Sequence, residues 1–163
     1  GAVIAVEMHA PALPPATDAV PADPTLLARG AELARAGNCM ACHTTQGGAP
    51  FAGGRGIETP FGVVHSSNLT PDKAHGIGSW TSAEFWRAMH HGRRKDGRLL
   101  YPAFPYPNYT QVTREDSDAI FAYLQSQPPV AEPNRAHALR FPYSTQAALG
   151  AARGAGFGDA FIR

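Results

Sequence analysis

Apolar residues recur at helical spacing in three stretches of the chain, and each stretch carries its own stop and start signals. The first opens at Asp23-Pro24, where Asp suits an N-cap and Pro the first helical turn. Leu26, Leu27, Leu33 and Ala34 form its apolar face, and Gly37 is suited to end it. The second follows Trp80. Thr81 and Glu84 have the spacing of a capping box, Phe85, Trp86 and Met89 supply the apolar surface, and Gly92 ends the helix. The third begins at Thr113, with Asp116 again in capping-box position. It is predicted to reach about Gln127, with Ile120, Phe121, Tyr123 and Leu124 as the buried stripe and Pro128-Pro129 as the stop.

Between these stretches the periodicity fails. From 44 to 79 Gly and Pro recur too often for long elements, which predicts loops wrapped around something. A loop of that length inside a small domain usually needs a ligand to organise it. The prolines of 101–107 also exclude a helix there. Residues 1–22 are rich in Ala and Pro and read as an extended arm. Its apolar residues 2–6 fit either the stub of a cleaved signal peptide or lost anchor, or a plain terminus. Residues 131–163 have scattered apolar positions without a period and are expected to form a tail, partly packed and partly frayed. The predicted domain is therefore 23–130.

A chain of 163 residues suffices for one domain with a modest core. Lys and Arg number 14 against 13 Asp and Glu, so the basic excess that nucleic-acid binding needs is missing. No apolar run approaches the length of a membrane span.

The chain has two cysteines, and they stand together as Cys39-Met40-Ala41-Cys42-His43. This C-x-x-C-H pattern is the attachment signature of c-type haem. Each thiol adds to one porphyrin vinyl group, and the next residue, His43, then lies under the iron. A zinc site would need a second pair of ligands, and a redox dithiol a strand-then-helix context. The other ring nitrogen of His43 should donate to a backbone carbonyl, with Pro50 and Pro60 as the acceptors considered.

The order of parts resembles class I cytochromes c, and more closely the haem domains of the cytochrome subunits of bacterial membrane-bound alcohol, sugar-acid and aldehyde dehydrogenases. The similar stretches are 36–43 around C-x-x-C-H, Thr59-Pro60-Phe61-Gly62, Asn68-Leu69-Thr70-Pro71-Asp72, Gly76-Ile77-Gly78-Ser79-Trp80, Lys95-Asp96-Gly97-Arg98 and 101–107. They span about Arg29 to Pro129. The resemblance implies a mostly α class I cytochrome c fold, with three to five helices and long loops around one covalent haem c. Gly30 would face Phe121 or Tyr123 where the first and last helices cross. Trp80 would hydrogen-bond a haem propionate. Arg55 is a candidate propionate donor, because burying a carboxylate needs one, and Asn68 could join that network. Longer relatives continue into further haem domains, so the chain fits one module of a multi-haem subunit.

One departure matters. Where many relatives place an axial Met, this chain has Phe104, which cannot bind iron. Three readings of the sixth ligand stay open: Met89 from the helix after Trp80, a histidine among His65, His90 and His91, or none. A Met or His ligand suits electron transfer, and an open iron suits a small gas or peroxide. The implied function is relay of single electrons between a dehydrogenase subunit and a respiratory acceptor, with no substrate bond broken by this chain. The place implied is the bacterial periplasm, with any membrane association through partners or a lost anchor. The charged run 93–98 is either a docking patch or a solvated turn.

Overall fold

A computed structural model describes residues 22–101, 103 and 109–154. The arm up to 21, Phe104 with most of the Pro-rich segment, and 155–163 lie outside the described residues. Among those described, the order is helix α1 (Pro24–Ala36), one-turn helix α2 (Cys39–Cys42), strands β1 (Gly56–Thr59) and β2 (Gly62–His65), helices α3 (Ser82–His91) and α4 (Arg114–Gln125), strand β3 (Ala138–Leu139) and helix α5 (Gln146–Gly154).

The three predicted helices form where their signals stand. The Asp23 carboxylate accepts from the N–H groups of Thr25 and Leu26, with Pro24 in the first turn. Thr81 and Glu84 make both halves of the capping box, at 3.2 and 2.8 Å, and Gly92 caps the far end with φ 59°. The Thr113 hydroxyl accepts from the Asp116 N–H. The Asp116 carboxylate does not reach back. It accepts from Arg29 Nε at 2.8 Å, bridging α4 to α1.

The α1–α4 crossing is the main helix pairing. A Cβ on Gly30 would stand 2.0 Å from the Ala119 carbonyl oxygen and 2.7 Å from Tyr123 Cβ. Only a residue without a side chain allows that approach. The neighbour is therefore Tyr123 together with Ala119. Around the crossing, Phe51, Ile77, Phe85, Met89, Ile120, Phe121 and Leu124 form one buried cluster, with Leu33, Cys39, Trp80 and Tyr109 packed on its edge. Leu124 is fully enclosed, and burying such a side chain contributes roughly 2 kcal/mol.

Two parts of the chain have more structure than the sequence suggested. Within the predicted loops, β1 and β2 form a hairpin with Ile57 opposite Val64 and Thr59 opposite Gly62. Beyond residue 130 the chain returns across the domain. β3 pairs antiparallel with β2, Val63 opposite Ala138, making a three-stranded sheet in the order β1-β2-β3. α5 then docks through buried Leu149 and through Arg153, which donates to the carbonyls of His91 and Gly92.

Candidate functional site: the Cys39–His43 turn

Gly37 and Asn38 turn the chain out of α1. Asn38 takes the left-handed conformation, φ 56°, and α2 then makes a single turn from Cys39 to Cys42. Both thiols are free. They stand at the two ends of that turn, and His43 follows as its C-cap, its N–H donating to the Cys39 carbonyl at 3.0 Å. Burial pushes the Cys39 thiol above its usual range, with Cys42 adding to the effect and a backbone hydrogen bond opposing it.

The His43 ring is held from one side. Its Nδ1 lies 2.6 Å from the Ser67 carbonyl oxygen, and as donor it leaves Nε2 with its lone pair outward. Burial lowers the His43 pKa, and the bond to Ser67 partly opposes that. The neutral imidazole is the form that ligates a metal. Neither Pro50 nor Pro60 is the acceptor, because the segment just after β2, not the loop directly after the motif, passes the ring.

Ser67 is aimed by the Gly53-Gly54 segment. The Gly53 N–H donates to the His43 carbonyl, the Gly54 N–H to the Ser66 carbonyl, each at 2.8 Å, and the Ser66 N–H to Arg55 at 2.9 Å. A Cβ on Gly53 would stand 2.4 Å from the Ser67 carbonyl carbon, and φ there is +75°. The loop that reaches Gly53 carries buried Phe51 at φ 62°. A bulky residue in that region costs free energy and persists only where its surroundings hold it. Here the Phe51 N–H donates to Thr44 Oγ1 at 3.1 Å and its carbonyl accepts from Leu69 N–H at 2.8 Å.

The other singled-out residues fall in different places. Met89 belongs to the buried cluster, as does Trp80 at its edge. His90 stacks on Trp86 at 4.5 Å and His91 meets the same ring edge-on at 5.2 Å; both imidazoles are half-exposed. His65 stands at the sheet's seam with the returning chain, its Nδ1 donating to the Ala136 carbonyl at 2.9 Å. Asn68 is corrected as a propionate donor. Its amide donates to the Val130 and Glu132 carbonyls, and its Oδ1 accepts from the Thr70 N–H and hydroxyl. Both donor hydrogens are thereby engaged in holding the chain beyond α4. Arg55 is exposed, and its Nη1 donates to the Ala41 carbonyl at 2.9 Å and steadies α2. Phe104 lies outside the described residues. The charged turn bonds to itself and to α3: buried Arg87 donates to the carbonyls of Arg94 and Lys95, and Arg93 to that of Gly97.

Sequence reasoning missed Ser67, whose main-chain atom carries no residue signal. It also missed Tyr109, whose hydroxyl donates to the Gly37 carbonyl at 3.0 Å beside Cys39. Burial, then the two cysteines, raise its pKa.

The cytochrome c family model matches residues 27–128, from the first turn of α1 to past the end of α4. The chain belongs to the cytochrome c family. Membership implies haem c as cofactor. The chain is 46% identical over 130 residues to the cytochrome c subunit of the quinone-type alcohol dehydrogenase of Gluconacetobacter polyoxogenes, covering 79% of this chain and 28% of that one. It is 46% identical over 134 residues to the gluconate 2-dehydrogenase cytochrome c subunit of Pantoea cypripedii, covering 82% and 30%. With the fructose dehydrogenase cytochrome subunit of Gluconobacter japonicus it shares 44% over 126 residues, 76% of this chain and 26% of that protein. The chain thus spans less than a third of the length of these relatives.

Proposed function

We propose that this cytochrome carries one covalent haem c and relays single electrons between a dehydrogenase subunit and a second redox centre outside the cytoplasm. The observation that carries the reading is the His43 ring, locked by Ser67 at 2.6 Å with Nε2 left to ligate, directly after two free thiols on one helical turn. Those residues fit the group: Cys39 and Cys42 would hold it by thioether bonds and His43 would ligate its iron. The haem supplies a one-electron couple at nearly constant geometry. The protein's share is to fix the ligand ring and exclude water around it. A class I arrangement is supported by Gly30 at the α1–α4 crossing.

For the sixth ligand we propose Met89. Among the candidates on described residues its side chain alone lies in the buried cluster. His90 and His91 are engaged with Trp86, and His65 is tied to the chain at 136. Periplasmic placement follows from thioether attachment, which is made on that side of the membrane. Among the described residues no helix is long and apolar enough to cross a membrane.

The test has two parts. The denatured polypeptide should retain its colour and exceed its amino-acid mass by one haem; a colourless chain of unmodified mass overturns the reading. The oxidised protein should show the weak sulfur-to-iron band at the red end of its spectrum, and M89A should lose it. Rapid carbon monoxide binding by the reduced wild type would instead support an open iron.

A further inference from the structure

An open cleft of about 730 Å³ lies beside α2, between the loop after His43 and the start of the β1–β2 hairpin. Arg55 and Arg135 both line it, with Met40, Thr45 and Gln46, and none of its lining residues is acidic. Two arginines lining one recess with no acidic neighbour in its wall set up a field that attracts anions. Arg135 lies across Gly54, its Nε 3.5 Å from where a Cβ on that residue would stand. Arg55 is braced on Ala41.

Arg135 is held in place from both sides. Before it, Asn134 accepts from the Asn68 N–H at 2.7 Å and donates to the His75 carbonyl at 2.8 Å. After it, the Ala136 carbonyl accepts from His65 Nδ1 at 2.9 Å and His137 Nδ1 accepts from the His65 N–H at 3.0 Å. A backbone already ordered in this way loses little freedom when a ligand binds. Met40, between the two cysteines, is 46% exposed and lines the same recess. An apolar contact ringed by polar groups is the usual anatomy of a protein interface.

We propose that this cleft receives an Asp or Glu side chain on the acidic face of a protein that exchanges electrons with this chain. Arg55 and Arg135 grip the carboxylate, and Met40 forms the dry contact over the haem-attachment turn. Guanidinium matches a carboxylate in a two-pronged fork that an ammonium cannot reproduce. The proposal rests on the electron-relay reading and adds where the partner sits. One electron passes from the partner's reduced cofactor to ferric iron, and no bond is broken.

The test compares two reductants of the oxidised holoprotein in stopped flow. One is flavodoxin hydroquinone, an acidic protein whose flavin anion gives up one electron and becomes the neutral semiquinone. The other is hexaammineruthenium(II), a small cation. At low ionic strength R135Q should react about five-fold more slowly with flavodoxin and no more slowly with the ruthenium complex. R135K should keep part of the wild-type rate, and added salt should erase the difference. An R135Q rate with flavodoxin equal to wild type, or an equal slowing with both donors, overturns the docking recess; so does competition by inorganic phosphate for the cleft with no effect on the flavodoxin rate. A holoprotein reduced by neither donor overturns the relay reading instead.

Discussion

Where α1 crosses α4, the chains approach so closely that a single methyl group at Gly30 would overlap the Ala119 carbonyl. Where the segment 130–139 crosses β2 and the Asn68 loop, most of the segment's own residues are exposed, and the contact consists of the short β3–β2 pairing and of hydrogen bonds that involve Asn68, Asn134, His65 and His137. The crossing is stabilised by shape and burial, which depend weakly on pH and salt. The returning strap is stabilised by directional polar contacts, and one substitution or one proton can remove those made by side chains. The two regions should therefore fail separately, the first with the whole fold and the second locally.

The crossing should break most severely. G30A forces backbone apart at a packed contact, and overpacking of that kind costs about 3 kcal/mol. Thermal unfolding of the holoprotein should show the loss as one lowered transition, and an unchanged Tm would mean that the helices can slide apart cheaply. N68A comes next. It leaves the Glu132 carbonyl and the Thr70 N–H without partners and the Val130 carbonyl with the Thr70 hydroxyl alone, at a cost of about 2 kcal/mol. Amide exchange should quicken across 130–139 before it quickens in α1; uniform quickening would show that strap and frame unfold together.

The smallest effect is a proton's. Burial, then the charges of His65 and Arg94, lowers the His137 pKa below its ordinary 6.5. The bond from the His65 N–H needs Nδ1 unprotonated. The undocked strap therefore binds the proton more readily than the docked one, so docking is complete above about pH 6.5 and weakens as pH falls through the lowered value. Proteolytic nicking near residues 134–140 should rise on acidification while far-ultraviolet dichroism stays level. H137A should abolish that pH dependence.

The same contrast governs what could be read in the sequence. The helices of the frame were legible to their caps, because Asp23, Thr81 with Glu84, Thr113 and Gly92 act on neighbours three or four residues away. The C-x-x-C-H turn was legible because its spacing carries its chemistry. The hairpin was hidden in a Gly- and Pro-rich stretch, although Val63-Val64 after the turn at Pro60-Phe61-Gly62 was a usable strand signal. The strap was not legible at all. Its partners, mostly side chains, lie 60 to 72 residues distant, and no local period encodes such a pairing. Asn68 was misread for this reason. An Asn beside a cofactor loop looks like a donor to the cofactor until its acceptors are found on residues 130 and 132. The partner of His43 lay beyond reach for the same cause.

That partner is a peptide oxygen, and every amino acid brings one. Codon 67 can drift freely without erasing the clamp on the imidazole, whereas lengthening or shortening the turn between β2 and Asn68 by one residue would move it out of range. Inherited adjustment of the imidazole's basicity is thereby shifted away from point replacement at this spot and onto indels, or onto groups on the opposite side of the ring.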